Sequence, residues 1–280
     1  MKTKIVLASV VSALLAGCGG GGGGESSSVE PPAGTGSEPP VSKVAVSYKA
    51  AVLPLFVGSY TGADCIKLTG GAMAERGPAV VKVGADGMVE TIGVSASVLQ
   101  PTVSMAFSRT LDASGPRDVS YLISEPRNPN GLTLMLAETA QDARTGVYVV
   151  NNSLSVNCEA PEAAILKTRS LYGALAKFID SPRRTVSCTK GIGAAVSLVN
   201  ASYQVAGGEM KLDDQTRSLT SGLQGEMAVV PADGGLAYWS QSLDGTALNL
   251  TLDPYGNPQN MVGSFGKSGL TYSCDLKPKL

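Results

Sequence analysis

The spacing of four cysteines constrains the fold of this chain most. Cys65 and Cys158 lie 93 residues apart, and Cys188 and Cys274 lie 86 apart. Near-equal intervals are what a duplicated unit with one bridge per copy produces, and other traces of duplication accompany them. Ser153–Glu159 matches Gly269–Asp275, each a strand-like run closing on a cysteine and an acid. Val81-Lys82-Val83, ahead of the turn Gly84-Ala85-Asp86-Gly87, matches Tyr203-Gln204-Val205 ahead of Ala206-Gly207-Gly208. Leu55-Phe56-Val57 precedes Cys65 as Lys177-Phe178-Ile179 precedes Cys188. In the middle, Ala106–Asp112 aligns with Tyr238–Asp244, and Leu122–Pro126 with Leu250–Pro254. Each match is short, but they share one order along the chain.

Four cysteines allow three pairings. The repeat selects Cys65–Cys158 and Cys188–Cys274, each joining the first strand of a copy to its last. Closing a loop of that size stabilises by about 4–5 kcal/mol in the chain-entropy model. Without a Cys-x-x-Cys pair these cysteines read as staples, not redox catalysts.

Most periodic segments are short and alternate. Ala247-Leu248-Asn249-Leu250-Thr251-Leu252 is the clearest, with every second residue apolar. Turn residues separate such runs throughout. This predicts a mainly β protein of two tandem homologous domains, each an antiparallel sandwich or small barrel. A helix over 161–179, with Pro161 in its first turn, begins the second copy, and 48–53 is its shorter counterpart. The expected boundaries are 44–160 and 161–280, with each copy able to fold alone.

The N-terminus carries a different message. Lys2 and Lys4 precede an apolar run from Ile5 to Leu15, too short to span a bilayer as a mature helix. Leu15-Ala16-Gly17-Cys18 then resembles the lipobox of bacterial lipoproteins. That resemblance implies cleavage after residue 17 and acylation of Cys18, an anchor to the cell envelope. Gly19, where an aspartate would signal inner-membrane retention, favours the outer membrane. Residues 18–43 are rich in Gly, Ser and Pro, have little to bury and read as a disordered tether.

Composition removes several functions. The formal net charge is −1, and about −3 once Lys2 and Lys4 are cleaved away, so no basic field recruits nucleic acid. The chain contains no histidine. Ser-His-Asp and Cys-His catalysis, and metal or haem ligation through histidine, are thereby excluded. Asp86-Gly87 marks a hairpin, and no Asp-x-Asp-x-Asp-Gly calcium loop exists. Gly191-Ile192-Gly193 lacks the third glycine of a dinucleotide fingerprint. No cofactor or metal is expected.

The remaining site candidates are few. Asp112 and Asp244 fall at matching places in the alignment, as do Glu125 and Asp253. Acids beside Gly or Pro are expected to cap turns, with a ligand site as the sharper alternative. Trp239, the single tryptophan, reads as core, or else as a binding-face aromatic. The function expected is non-catalytic: an anchored envelope protein binding a partner protein, a glycan or a small apolar ligand, or stabilising an assembly. A carboxylate-dependent hydrolase of envelope polysaccharide and a lipocalin-like carrier of an apolar ligand are the alternatives.

Overall fold

The computed structural model describes residues 45–277, save 70–73, 93, 113–114, 125–132, 139–144, 152–153, 160–169 and 267–268. The chain is mainly β and comprises two homologous antiparallel β units with a short helix before each. In the first, α1 (Tyr48–Val52) leads through a 3₁₀ turn into β1 (Gly58–Thr69), β2 (Glu75–Val83), β3 (Met88–Thr91) and β4 (Val94–Ser97). β5 (Ser104–Asp112), β6 (Gly115–Ser124), β7 (Thr133–Glu138), β8 (Thr145–Asn151) and β9 (Leu154–Glu159) follow. In the second, α2 (Leu171–Ile179) leads into β10 (Ser181–Ile192), β11 (Ala195–Ala206), β12 (Glu209–Leu212) and β13 (Gln215–Ser218). Then come β14 (Leu223–Val230), β15 (Leu236–Ser242), β16 (Ala247–Leu252), β17 (Pro258–Phe265) and β18 (Leu270–Asp275).

The strands correspond one to one. β1 and β10 are each 12 residues long, with Cys65 and Cys188 at the eighth place. β9 and β18 are each six long, with Cys158 and Cys274 at the fifth. Strand order corrects the middle of the sequence alignment. Ala106–Asp112 lies on β5, whose counterpart is β14, whereas Tyr238–Asp244 begins on β15. Leu122 lies on β6 while Leu250 lies on β16, so that match also slips by one strand. Short alternating strands resemble their neighbours, and two adjacent strands of a meander are easily exchanged in an alignment.

Within each unit the last strand returns to pair with the first. β1 pairs with both β2 and β9, and β10 with both β11 and β18. Cys188 stands directly opposite Cys274 and is bonded to it. Cys65 is also disulfide-bonded. The side chain of Cys158 lies outside the described residues. The β1–β9 register sets Ile66 opposite Asn157, the residues next to Cys65 and Cys158 in the chain.

The two units join through β5 and β14, which pair antiparallel with Phe107 opposite Ala228. Equivalent strands meeting antiparallel is the arrangement a local two-fold generates. Among the described residues the strand pairings run in one order from β4 to β13.

Burial follows the alternation read from sequence. β15 reads buried and half-buried in strict turn, and β16 repeats the pattern on its apolar residues. α2 is capped by Ser170, whose hydroxyl accepts from the Gly173 amide at 3.2 Å, and buries Leu171, Leu175 and Ile179 on one face. It starts ten residues later than the sequence predicted, and residues 160–169 are outside the described set. The turn into β12 needs glycine: Gly208 has φ +84°, and a Cβ there would lie 2.8 Å from Thr220 Cγ2.

The helices do more than cap their own sheets. Tyr48 of α1 packs edge-on against Phe178 of α2, ring centroids 4.9 Å apart. Its hydroxyl donates to the Asp253 carbonyl at 2.7 Å, and the Val46 amide donates to the Pro254 carbonyl at 2.8 Å, both in the β16–β17 turn. One continuous apolar cluster contains residues of both units, from Val52 and Phe107 to Tyr238 and Tyr272.

Candidate functional site

Strand register places the candidate site on the outer face of the second unit. One row crosses seven strands: Met227, Trp239, Asn249, Val262, Ser273, Thr189 and Leu198 are successive cross-strand partners. A row on one side runs Gly225, Gln241, Ala247, Ser264, Thr271, Gly191 and Val196, and one on the other runs Val229, Ala237, Thr251, Asn260, Asp275, Ser187 and Asn200. Asp275 is the single charged residue in the three rows. Seven strands at the usual 4.7–4.9 Å spacing make this face about 29 Å wide along its curve.

Its chemistry is neutral hydroxyl and amide groups interleaved with apolar side chains. Leu198 is 87% exposed, Val196 67% and Val262 51%. On the β10–β11 hairpin every residue from Ile192 to Leu198 is exposed. Val196, Leu198 and Val262 are thus exposed apolar side chains on a strand face that carries little charge.

Trp239 belongs to this face. It is half-buried and points away from the core, the opposite side from its fully buried neighbour Tyr238. Trp239 therefore does not fill the core as expected. Gly225 makes room for it: a Cβ at Gly225 would lie 3.3 Å from Trp239 Cζ3.

Asp244 and Asp253 are turn residues. The Asp244 carboxylate accepts from the Thr246 amide at 2.9 Å, which holds its pKa below the ordinary value. The Asp253 carboxylate accepts from the Tyr255 and Asn257 amides, each at 2.9 Å, and from the side chains of Asn257 and Gln259. Asp112 ends β5 opposite Gly115, and Asp244 sits in the β15–β16 turn. They do not occupy equivalent places, and the structure does not bring them to one site through the repeat. Glu125 lies outside the described residues. A pocket of about 250 Å³ lined by Ala50, Leu53, Pro54, Val57, Ala85 and Leu99 opens beside α1.

Sequence reading missed Leu198, Val196 and Val262. Val196 and Leu198 alternate with Ala195 and Ser197, a signal indistinguishable from that of a strand facing the core. No protein-family model and no curated protein matches this chain.

Proposed function

We propose that the protein is a lipid-anchored envelope protein that binds an uncharged partner on the outer face of its second unit, without transforming it. The observation that carries this is the neutral row from Trp239 to Leu198, with large apolar side chains left in water. Burying such side chains against a partner gains about 25 cal/mol per Å² of apolar area. The neutral hydroxyl and amide groups between them favour a partner that offers hydrogen bonds, a glycan or a polar protein surface, over a charged one. Cys18 supplies the lipid attachment, residues 18–43 the tether, and Cys65–Cys158 the second staple.

The hydrolase reading ranks below this one because Asp244 and Asp253 spend their oxygens on turn amides. The carrier reading ranks below it because Tyr203, Tyr238 and Tyr272 fill the interior of the second unit. A photo-crosslinking residue at Leu198, Val262 or Trp239 in the intact envelope tests the proposal. An adduct at these places and none at Lys211, exposed on β12, is expected. Equal labelling at Lys211, or none anywhere, overturns it.

A further inference from the structure

The indole of Trp239 leans across the β14–β15 ladder. Its direct cross-strand partner is Met227, and Gly225 pairs instead with Gln241. Yet a Cβ at Gly225 would lie 3.3 Å from Trp239 Cζ3 and 3.6 Å from Cη2. The benzene ring therefore reaches diagonally and covers the space that a side chain at 225 would fill. Two amides flank it. Asn249 stands directly opposite Trp239 on β16 and is exposed, and Gln241 lies two residues along β15 on the same face. Direct cross-strand Cβ atoms are about 4.5–5.5 Å apart, and same-face neighbours along a strand about 7 Å. The three side chains thus fall within the span of one sugar ring. Among the described residues, none of the three hydrogen-bonds within the protein. The indole N–H and both amides keep their donors and acceptors for a ligand.

We propose that a neutral oligosaccharide seats one sugar ring against the indole of Trp239, with the side-chain amides of Gln241 and Asn249 taking its hydroxyls. This rests on the contact face proposed above and names its ligand. A sugar ring carries C–H groups on its faces and hydroxyls around its edge. The indole offers a large, rigid apolar surface to the C–H groups. Each amide offers both a donor and an acceptor, as neighbouring hydroxyls do. Charge points the same way. The one charged residue in the three rows, Asp275, lies three strands from Trp239, about 14 Å at the usual spacing. A charged ligand would find no counter-charge beside the indole, and a neutral one needs none. A protein partner is the poorer fit, because aromatic anchors of protein interfaces project into pockets, whereas this indole is folded over Gly225.

Trp239 is the single tryptophan of the chain, so tryptophan fluorescence of the full-length native protein reports on this site alone. The probes are cellohexaose, maltohexaose, chitohexaose and laminarihexaose, with hexagalacturonate as the charged control. A saturable change in emission is expected with at least one of the four neutral sugars and none with the galacturonate. Gln241→Ala and Asn249→Ala should each weaken that binding about 2–10-fold, the worth of one neutral hydrogen bond. No saturable change with any neutral sugar, an equal response to the galacturonate, or unchanged affinity in both variants overturns the proposal. Should neither variant fold, the native titration decides. If Trp239 crosslinks to a protein in the envelope while all four sugars are silent, the contact face stands and the glycan assignment falls.

Discussion

Arg109 of the first unit and Glu226 of the second face each other across the β5–β14 ladder, with 2.6 Å between Nη2 and Oε2 and both side chains buried. Burial pushes the Glu226 carboxyl upward, and Arg109 opposes that shift. Breaking such a pair leaves a buried charge, so Glu226→Leu should cost about 3–5 kcal/mol in urea unfolding. Arg109→Met combined with Glu226→Leu should recover most of the loss, because no lone charge then remains.

The same junction predicts how the chain unfolds. A shared ladder, a shared apolar cluster and the Tyr48–Asp253 bond couple the units. Calorimetry should show one transition for residues 44–280, and a chain of residues 44–160 alone should not give a cooperative melt. Two resolved transitions would instead support the expectation that each copy folds alone.

Disulfide loss should be costly. Replacing Cys188 and Cys274 together by serine should remove about 2–5 kcal/mol. Titration of the denatured, unreduced and processed protein should find no free thiol, because Cys65 is also bonded. A reactive thiol would contradict the Cys65–Cys158 pairing.

Alkaline pH should unfold the protein. Burial is the main cause that lifts Tyr48, Tyr172 and Tyr203 to about 12 from an ordinary value of 10.0. A raised folded value favours the neutral phenol, so this contribution is complete below pH 10 and disappears as pH rises through about 12. Absorbance at the phenolate band should show these tyrosines ionising late, together with loss of circular dichroism.

The proposed anchor depends on one thiol. On that proposal, Cys18→Ser should move the protein from the membrane fraction to the soluble periplasm without changing its melting temperature, because the Gly-, Ser- and Pro-rich sequence after it has little to bury.

Local chemistry was legible in the sequence. Alternation gave the core faces of β15 and β16, Asp-Gly and Gly-Gly marked hairpins, and the cysteine intervals marked the duplication. The alignment failed where two neighbouring strands share one pattern, which confused β5 with β15. Trp239 was misplaced because an outward aromatic and an inward one have the same period-2 signal. Arg217 and Glu226 gave no sign of burial, because a charged residue in a strand reads as solvated until its neighbours are known.

The sequence by itself determined the period-2 patterning, the turns, the cysteine framework and the absence of histidine, all properties of residues near in the chain or of their types. Tertiary structure alone decided that β5 meets β14, that Arg109 finds Glu226, and that Trp239 shares a row with Leu198. Those outcomes depend on which strand edges meet and in which register. Cross-strand partners are set by packing between segments as far apart in the chain as Phe107 and Ala228, and no local pattern encodes them.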